Sequence, residues 1–329
     1  MYGHVQFHKD EKLFQHSTFL VTGGAGFIGS HIVEYLMQHG AGKVHVLDNL
    51  SEGRIKNIEH WIGNPRFTFF EGDICDVSAV ERSMQGVDFV SHQAALGSVP
   101  RSILNPLATN HANVTGFLTV LDTARRMEVK RFVYASSSSV YGDHPVLPKQ
   151  EQNIGNPLSP YAVSKRVDEL YADVFGRSYG MKIIGLRYFN IFGPRQNPDG
   201  PYAAVVPLFI EALLKNKTAY LNGDGLQTRD FTFVENAVQA NIKALFAEKP
   251  DAFGKVYNVA VGERVTVKEM FYMLREDAGS SLEPTYREAR EGDIRDSLAD
   301  ISQAENLIGY HPRVKMREGL RLTLESFQN

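Results

Sequence analysis

The stretch Phe19-Leu20-Val21-Thr22-Gly23-Gly24-Ala25-Gly26-Phe27-Ile28-Gly29 decides how this chain folds. Its short apolar opening reads as a buried strand. The strand stops at glycines, and from Gly26 to Gln38 the residues Phe27, Ile28, Ile32, Tyr35 and Leu36 recur at helical spacing. Glycines at 23, 26 and 29 permit a tight strand-to-helix turn, close approach of the backbone to a phosphate, and close packing of helix on strand. The helix start offers free N–H groups and a partial positive charge to an anion.

The pattern continues outward from this turn. Lys43–Leu47 reads as a second strand and ends at Asp48, roughly 20 residues beyond the glycines, where a carboxylate binds ribose hydroxyls. An anion there repels a 2′-phosphate, so NAD is expected rather than NADP. Asp73, after the strand Phe67–Phe70, is placed to reach the adenine edge. Further strands are read at Val87–Val90, Arg131–Ala135 and Lys182–Arg187, with one long helix at Pro106–Met127. Strands alternating with helices predict an α/β fold, a Rossmann-type doubly wound parallel sheet covered on both faces.

The texture changes after Arg187. Residues 193–202 are rich in Gly, Pro, Asn and Asp and read as loop. A helix is expected at Val205–Leu214, and Phe231–Val234 and Val256–Val259 read as short strands returning to the main sheet. The implied organisation is an NAD-binding domain over 1–187, rejoined by 231–260, and a smaller interleaved C-terminal substrate domain over 188–329.

Bulk properties set the bounds. The chain has 329 residues with 43% hydrophobic and 22% charged, ordinary values for a globular protein. A formal net charge of −3 provides no basic field for nucleic acid. Cys75 is the sole cysteine, so no internal disulfide or multi-cysteine metal site is expected, and a reducing compartment fits. The first 17 residues lack the apolar core of a signal peptide, and no run is long and apolar enough to span a membrane. A cytoplasmic protein without membrane or nucleic-acid partners is expected.

The candidate chemistry lies in Ser159-Pro160-Tyr161-Ala162-Val163-Ser164-Lys165. Pro160 suits a helix start, and the spacing of Tyr161 and Lys165 puts both on one face. A free tyrosine is a poor base at neutral pH; a neighbouring ammonium and a positive nicotinamide ring favour the phenolate. The run Ser136-Ser137-Ser138-Ser139 follows the fifth strand, at the carboxyl edge where such sheets hold ligands.

Together with Val140-Tyr141-Gly142 and Arg187-Tyr188-Phe189-Asn190, these motifs resemble the extended short-chain dehydrogenase/reductase family over nearly the whole chain. The stretches from His92 to Ser102, Tyr141-Gly142-Asp143-His144-Pro145, Asn222-Gly223-Asp224-Gly225, Arg229-Asp230-Phe231 and Arg290-Glu291-Gly292-Asp293 resemble its UDP-N-acetylglucosamine and UDP-N-acetylgalactosamine 4-epimerases of surface-polysaccharide pathways. The resemblance implies Tyr161 as base, Lys165 as its electrostatic partner, and Ser137, assisted by Ser139, on the sugar O4. It places tightly held NAD against Gly23, Gly26, Phe27, Ile28, Gly29, Asp48, Asn49, Ser51, Gly53, Asp73, Ile74, Gln93, Ala94, Ala95, Asn113, Tyr161 and Lys165. It places the UDP-sugar against Ser98, Ser137, Ser138, Asn190, Ala204, Val205, Tyr220, Asn222, Arg229, Arg290, Asp293 and Ser297. Arginine suits a diphosphate because guanidinium pairs with two phosphate oxygens. Ser297 stands where galactose-type epimerases carry a bulky tyrosine, which leaves room for a 2-acetamido group.

The implied reaction takes hydride from the sugar C4 onto NAD and returns it to the other face of a transient 4-keto sugar. Related dehydratases carry Asp-Glu at the positions of Ser138 and Ser139, and decarboxylases a glutamate at the second. Hydroxyls cannot do that acid–base work at neutral pH. UDP-N-acetylglucosaminuronate and UDP-glucose 4-epimerases remain alternatives, as does a non-catalytic NAD-binding protein, which would be expected to lack Tyr161 or Lys165. Relatives pair into homodimers through two helices per subunit, here Pro106–Met127 and Tyr161–Tyr179.

Overall fold

The computed structural model describes residues 5–198, 204–288 and 295–328. Six strands arise in chain order, β1 (Thr18–Thr22), β2 (Lys43–Asp48), β3 (Phe67–Glu71), β4 (Phe89–His92), β5 (Arg131–Ser137) and β6 (Ile183–Tyr188). With the edge strand Lys255–Val259 they form a seven-stranded sheet in the order β3-β2-β1-β4-β5-β6-edge. Every neighbouring pair is parallel. The strand order reverses between β1 and β4, and such a switch point opens a crevice at the carboxyl ends of the strands.

Side chains alternate between two apolar layers, as a sheet buried on both faces requires. Leu20, Phe132, Tyr134 and Ile183 face a core shared with Phe117, Val120 and Leu121. Phe19, Val21, Val133 and Ile184 face the opposite core, with Ile32, Leu36, Val238 and Ile242. Residues 302–310 return to this second layer through Ala304, Ile308 and Tyr310. A separate core, with Phe209, Ile210, Leu221, Phe271, Leu274 and Leu320, gathers the helices Val205–Lys215, Val267–Asp277 and Met316–Gln328.

Two local expectations need correction. Thr232–Phe233 does not join the main sheet; it pairs with Ile191–Phe192 in a two-stranded ribbon. The helix expected over Pro106–Met127 is divided: Pro106–Asn110 runs into a wide π-helical turn, His111–Thr115, before Gly116–Arg126. Such a turn carries one extra residue and re-aims side chains, which period counting passes over. The polar segment before β1 is also structured. Asp10 caps a helix, Glu11–His16, His8 stacks on Phe14 with ring centroids 3.8 Å apart, and the Phe7 N–H donates to the Tyr35 hydroxyl at 2.8 Å. Among the described residues no helix is long and apolar enough to cross a membrane.

Candidate active site

A cleft of about 490 Å³ opens at the carboxyl edge of the sheet. Its floor is the glycine turn. Gly23 adopts φ +67°, and a Cβ there would lie 2.7 Å from the Ala94 amide nitrogen; a Cβ on Gly29 would lie 2.1 Å from the Gly23 carbonyl oxygen. Both positions therefore exclude any side chain. Gly26 precedes the helix Phe27–Gln38 without a capping side chain, which leaves helix-end N–H groups for an anionic ligand.

Asp48 closes one end. Its carboxylate accepts from the Ala25 and Leu50 N–H groups at 2.9 and 2.8 Å. Burial pushes this carboxyl up, against those backbone bonds. Asp73 accepts from Asn49 Nδ2 and the Cys75 N–H, both at 2.8 Å; although partial burial raises its carboxyl, these bonds leave it below the ordinary value. A cradle that forbids Cβ atoms, an open helix start and a carboxylate at the tip of β2 together fit a dinucleotide.

The cleft brings together all of the residues expected around the cofactor except Asn113. Asn113 sits in the wide helical turn at 1% exposure. Its Oδ1 accepts from the Leu96 N–H at 2.8 Å, and its Nδ2 donates to the Leu96 carbonyl and to Ser164 Oγ. Its polar atoms thus shape the Leu96 segment from behind.

Tyr161, Lys165 and Ser137 stand together on the opposite wall. Ser159 caps the helix Pro160–Tyr179, which carries the first two. The buried Lys165 ammonium donates to the Ala135 carbonyl at 2.9 Å and to Asp168 Oδ2 at 3.3 Å, which leaves it one further N–H. Ser139 donates to Ser137 Oγ through its hydroxyl at 2.9 Å and its N–H at 3.2 Å. The Ser137 proton is thereby free to point at a ligand. Ser136 serves another purpose, donating at 2.7 Å to Glu169, which also pairs with Arg187 in the core.

The residues expected around the substrate divide. Ser137, Asn190 and Ala204 line the cleft. Ser98 instead caps the helix Val99–Leu104, Val205 opens the helix Val205–Lys215, and Ser138 begins the short turn 138–141. Arg229 and Ser297 meet across Thr228: Arg229 donates to the Thr228 and Arg295 carbonyls, and the Ser297 N–H donates to the Thr228 carbonyl at 3.2 Å. Tyr220 and Asn222 lie on a strand paired with Thr285–Arg287. Arg290 and Asp293 lie outside the described residues.

Sequence reasoning missed Arg287, whose Nε donates to Asn222 Oδ1 at 2.5 Å. It also missed Tyr188 and Asn241, which form a closed triangle with Gln93. Tyr188 donates to Gln93 Oε1 at 2.9 Å, Gln93 Nε2 to Asn241 Oδ1 at 3.0 Å, and Asn241 Nδ2 to Tyr188 at 2.7 Å. No sequence signal links residues so far apart.

The chain is similar to known proteins over nearly its whole length. The model of the NAD dependent epimerase/dehydratase family matches residues 19–260. The UDP-glucose 4-epimerase of Mycolicibacterium smegmatis is 36% identical over 94% of this chain and 98% of its own length. A solved UDP-N-acetylglucosamine 4-epimerase from Methanobrevibacter ruminantium superposes with a TM-score of 0.90 at 39% identity, covering 95% of this chain and 98% of that one. The Thermus thermophilus UDP-glucose 4-epimerase, solved with NAD, does so with a TM-score of 0.84 at 38% identity, covering 94% and 99%.

Proposed function

The chain belongs to the NAD-dependent epimerase/dehydratase family, with NAD as its cofactor, and from that premise we propose that it is a 4-epimerase interconverting UDP-N-acetylglucosamine and UDP-N-acetylgalactosamine. The observation that carries the reading is the wall formed by Tyr161, Lys165 and Ser137 above a dinucleotide cradle. Bound NAD supplies the hydride acceptor and donor. Tyr161 takes the proton from the sugar O4 and later returns it. The Lys165 ammonium, anchored by two acceptors, favours the phenolate and holds the nicotinamide ribose with its remaining N–H. Ser137 donates a hydrogen bond to O4 through its own O–H, its oxygen being engaged by Ser139. Asn190, at the cleft, holds the uridine diphosphate, and the family resemblance assigns Asn222, Arg229, Arg290 and Asp293 to the same ligand.

The hydroxyls of Ser138 and Ser139 support epimerisation over elimination, since neither supplies a carboxyl acid or base. The acetamido preference rests on Ser297, which is small and half-buried, and is supported by the likeness to the UDP-N-acetylglucosamine 4-epimerase. Ser297→Tyr is expected to lower kcat/KM for the acetamido sugars by roughly 10–100-fold, the usual range for steric discrimination in a pocket. Its effect on UDP-glucose should stay within a few-fold; equal losses on both would remove Ser297 as the selector.

The decisive test needs no added cofactor. The nucleotide released from the purified protein is identified, and the protein is incubated with UDP-GlcNAc, UDP-GalNAc, UDP-glucose and the uronates. The expected result is NAD, and epimers from the acetamido sugars alone.

We further propose a homodimer. Ile103, Leu104 and Leu107 are 62%, 75% and 82% exposed, and Val163, Leu170 and Val174 of the helix Pro160–Tyr179 are close to half exposed. These side chains lie on helices packed against one another, and an apolar patch shared between them supports a contact surface. Sedimentation should give twice the chain mass, and Leu107→Lys should shift the equilibrium toward monomer.

A further inference from the structure

The helix that carries Tyr161 and Lys165 also carries a buried carboxylate that the mechanism above does not use. Asp168 is fully buried, its Oδ2 lies 3.3 Å from Lys165 Nζ, and its Oδ1 has no hydrogen-bond partner among the described residues. A structural ion pair would ordinarily satisfy both oxygens, because an unpaired buried acceptor costs stability. Resting on the proposed catalytic role of Tyr161, we propose that Asp168 is a positioning residue that tethers the Lys165 ammonium and, by its own ionisation, sets how strongly that ammonium favours the Tyr161 phenolate.

Two acceptors, the Ala135 carbonyl and Asp168, hold Lys165 Nζ from the sheet side and the helix side. With two N–H groups engaged, the ammonium has one left for the cleft that Lys165 lines.

Asp168 lies two helical turns from Tyr161, roughly 10 Å along the axis. The ionisable groups acting on it are Lys165 and then Glu169. From β5 it faces Tyr134, which stays a neutral phenol through burial and the nearby carboxylates. Arg187 of β6 and Arg166 on its own helix are both spent on Glu169. His92 of β4, the other titratable group facing Lys165, is lowered to about 3 by burial and then by Lys165, and is neutral. The other segments packed on this helix, 99–126 and 138–141, supply no group among those acting on the Asp168 carboxyl. Burial pushes that carboxyl up to about 7, against the pull of Lys165.

The sign follows. Above neutrality Asp168 is ionised and cancels part of the ammonium's field at Tyr161. Below neutrality it is neutral, and the full field favours the phenolate. Asp168→Asn removes the charge but retains an acceptor for Lys165; Asp168→Ala removes both. A unit charge roughly 10 Å away in a buried site is worth roughly one pH unit at an effective dielectric near 20.

The test uses the NAD-loaded protein with two readouts. One is phenolate absorbance against pH, taken as the difference from Tyr161→Phe; the other is the acid limb of the kcat/KM profile. In Asp168→Asn both curves should move to lower pH by about half a unit to one unit. Asp168→Ala should show the same shift with a further loss of kcat of about tenfold. Should Asp168→Ala not fold, Asp168→Ser takes its place with the same expectation. Asp168→Asn curves that superpose on the wild type would overturn the charge role, and equal kcat in the Asn and Ala variants would overturn the tether. The absorbance readout needs no sugar. A shift in it from a protein that epimerises nothing would sink the proposed function and leave the role of Asp168 standing.

Discussion

Replacing Tyr161 with phenylalanine is expected to lower epimerisation by about a thousandfold while the protein keeps its NAD. Loss of a positioned general base typically costs 10²–10⁴-fold, roughly. Here the hydroxyl has no substitute, since Ser137 and Ser139 are bonded to each other and cannot act as bases at neutral pH. Phenylalanine keeps the ring that packs at the cleft wall, so the glycine cradle and Asp48 at the other end should hold the dinucleotide as before. Turnover is followed by separation of the two epimers, and bound NAD by the absorbance and identity of the nucleotide released on denaturation. A variant that turns over at the wild-type rate would end the assignment of Tyr161; one that loses NAD would show that the residue serves binding first.

Glu169→Ala should be the most destabilising single change among the residues near the site. The Glu169 carboxylate receives Arg187 Nε at 2.8 Å and Nη2 at 2.9 Å, with Ser136 and Arg166 completing the set, and the Glu169 and Arg187 side chains are each 2% exposed. Removing one partner leaves a guanidinium buried without its counter-charge, a loss of about 3–5 kcal/mol. That is a large part of the total stability of an ordinary domain. Chemical denaturation of the variant beside Glu169→Ala/Arg187→Leu checks the cause. The double variant should recover part of the loss, because the unpaired charge goes with the arginine. A single variant within 1 kcal/mol of the wild type, roughly the scale of an exposed pair, would mean that water reaches Arg187.

These two residues also show which parts of the molecule were legible beforehand. Tyr161 announced itself because its partner Lys165 sits one helical turn away and its helix begins at Pro160. The strands were legible for the same local reason. Each is a short apolar run bounded by turn residues, and the glycines between β1 and its helix leave steric room for nothing else. Glu169 and Arg187 were not legible, because their pairing depends on which helix lies over which strand. The Gln93–Tyr188–Asn241 triangle was hidden in the same way. Asn113 was read as facing the cofactor. The wide turn at His111–Thr115 aims it into the Leu96 backbone instead, and one inserted residue in a helix has no compositional mark. Much of the expected substrate set rested on resemblance alone, and of its described residues Ser137, Asn190 and Ala204 line the cleft.

The edge strand Lys255–Val259 has a consequence for how the chain is made. It pairs with β6 from Ile184 to Tyr188, yet it is synthesised only after the helices Val205–Lys215 and Val234–Leu245. Until it arrives, β6 presents an open row of N–H and C=O groups, the kind of border on which nascent chains cross-pair. The first half of the protein therefore makes a poor free-standing fragment, and a nonsense truncation near residue 190 should enter inclusion bodies instead of yielding a soluble NAD-binding piece.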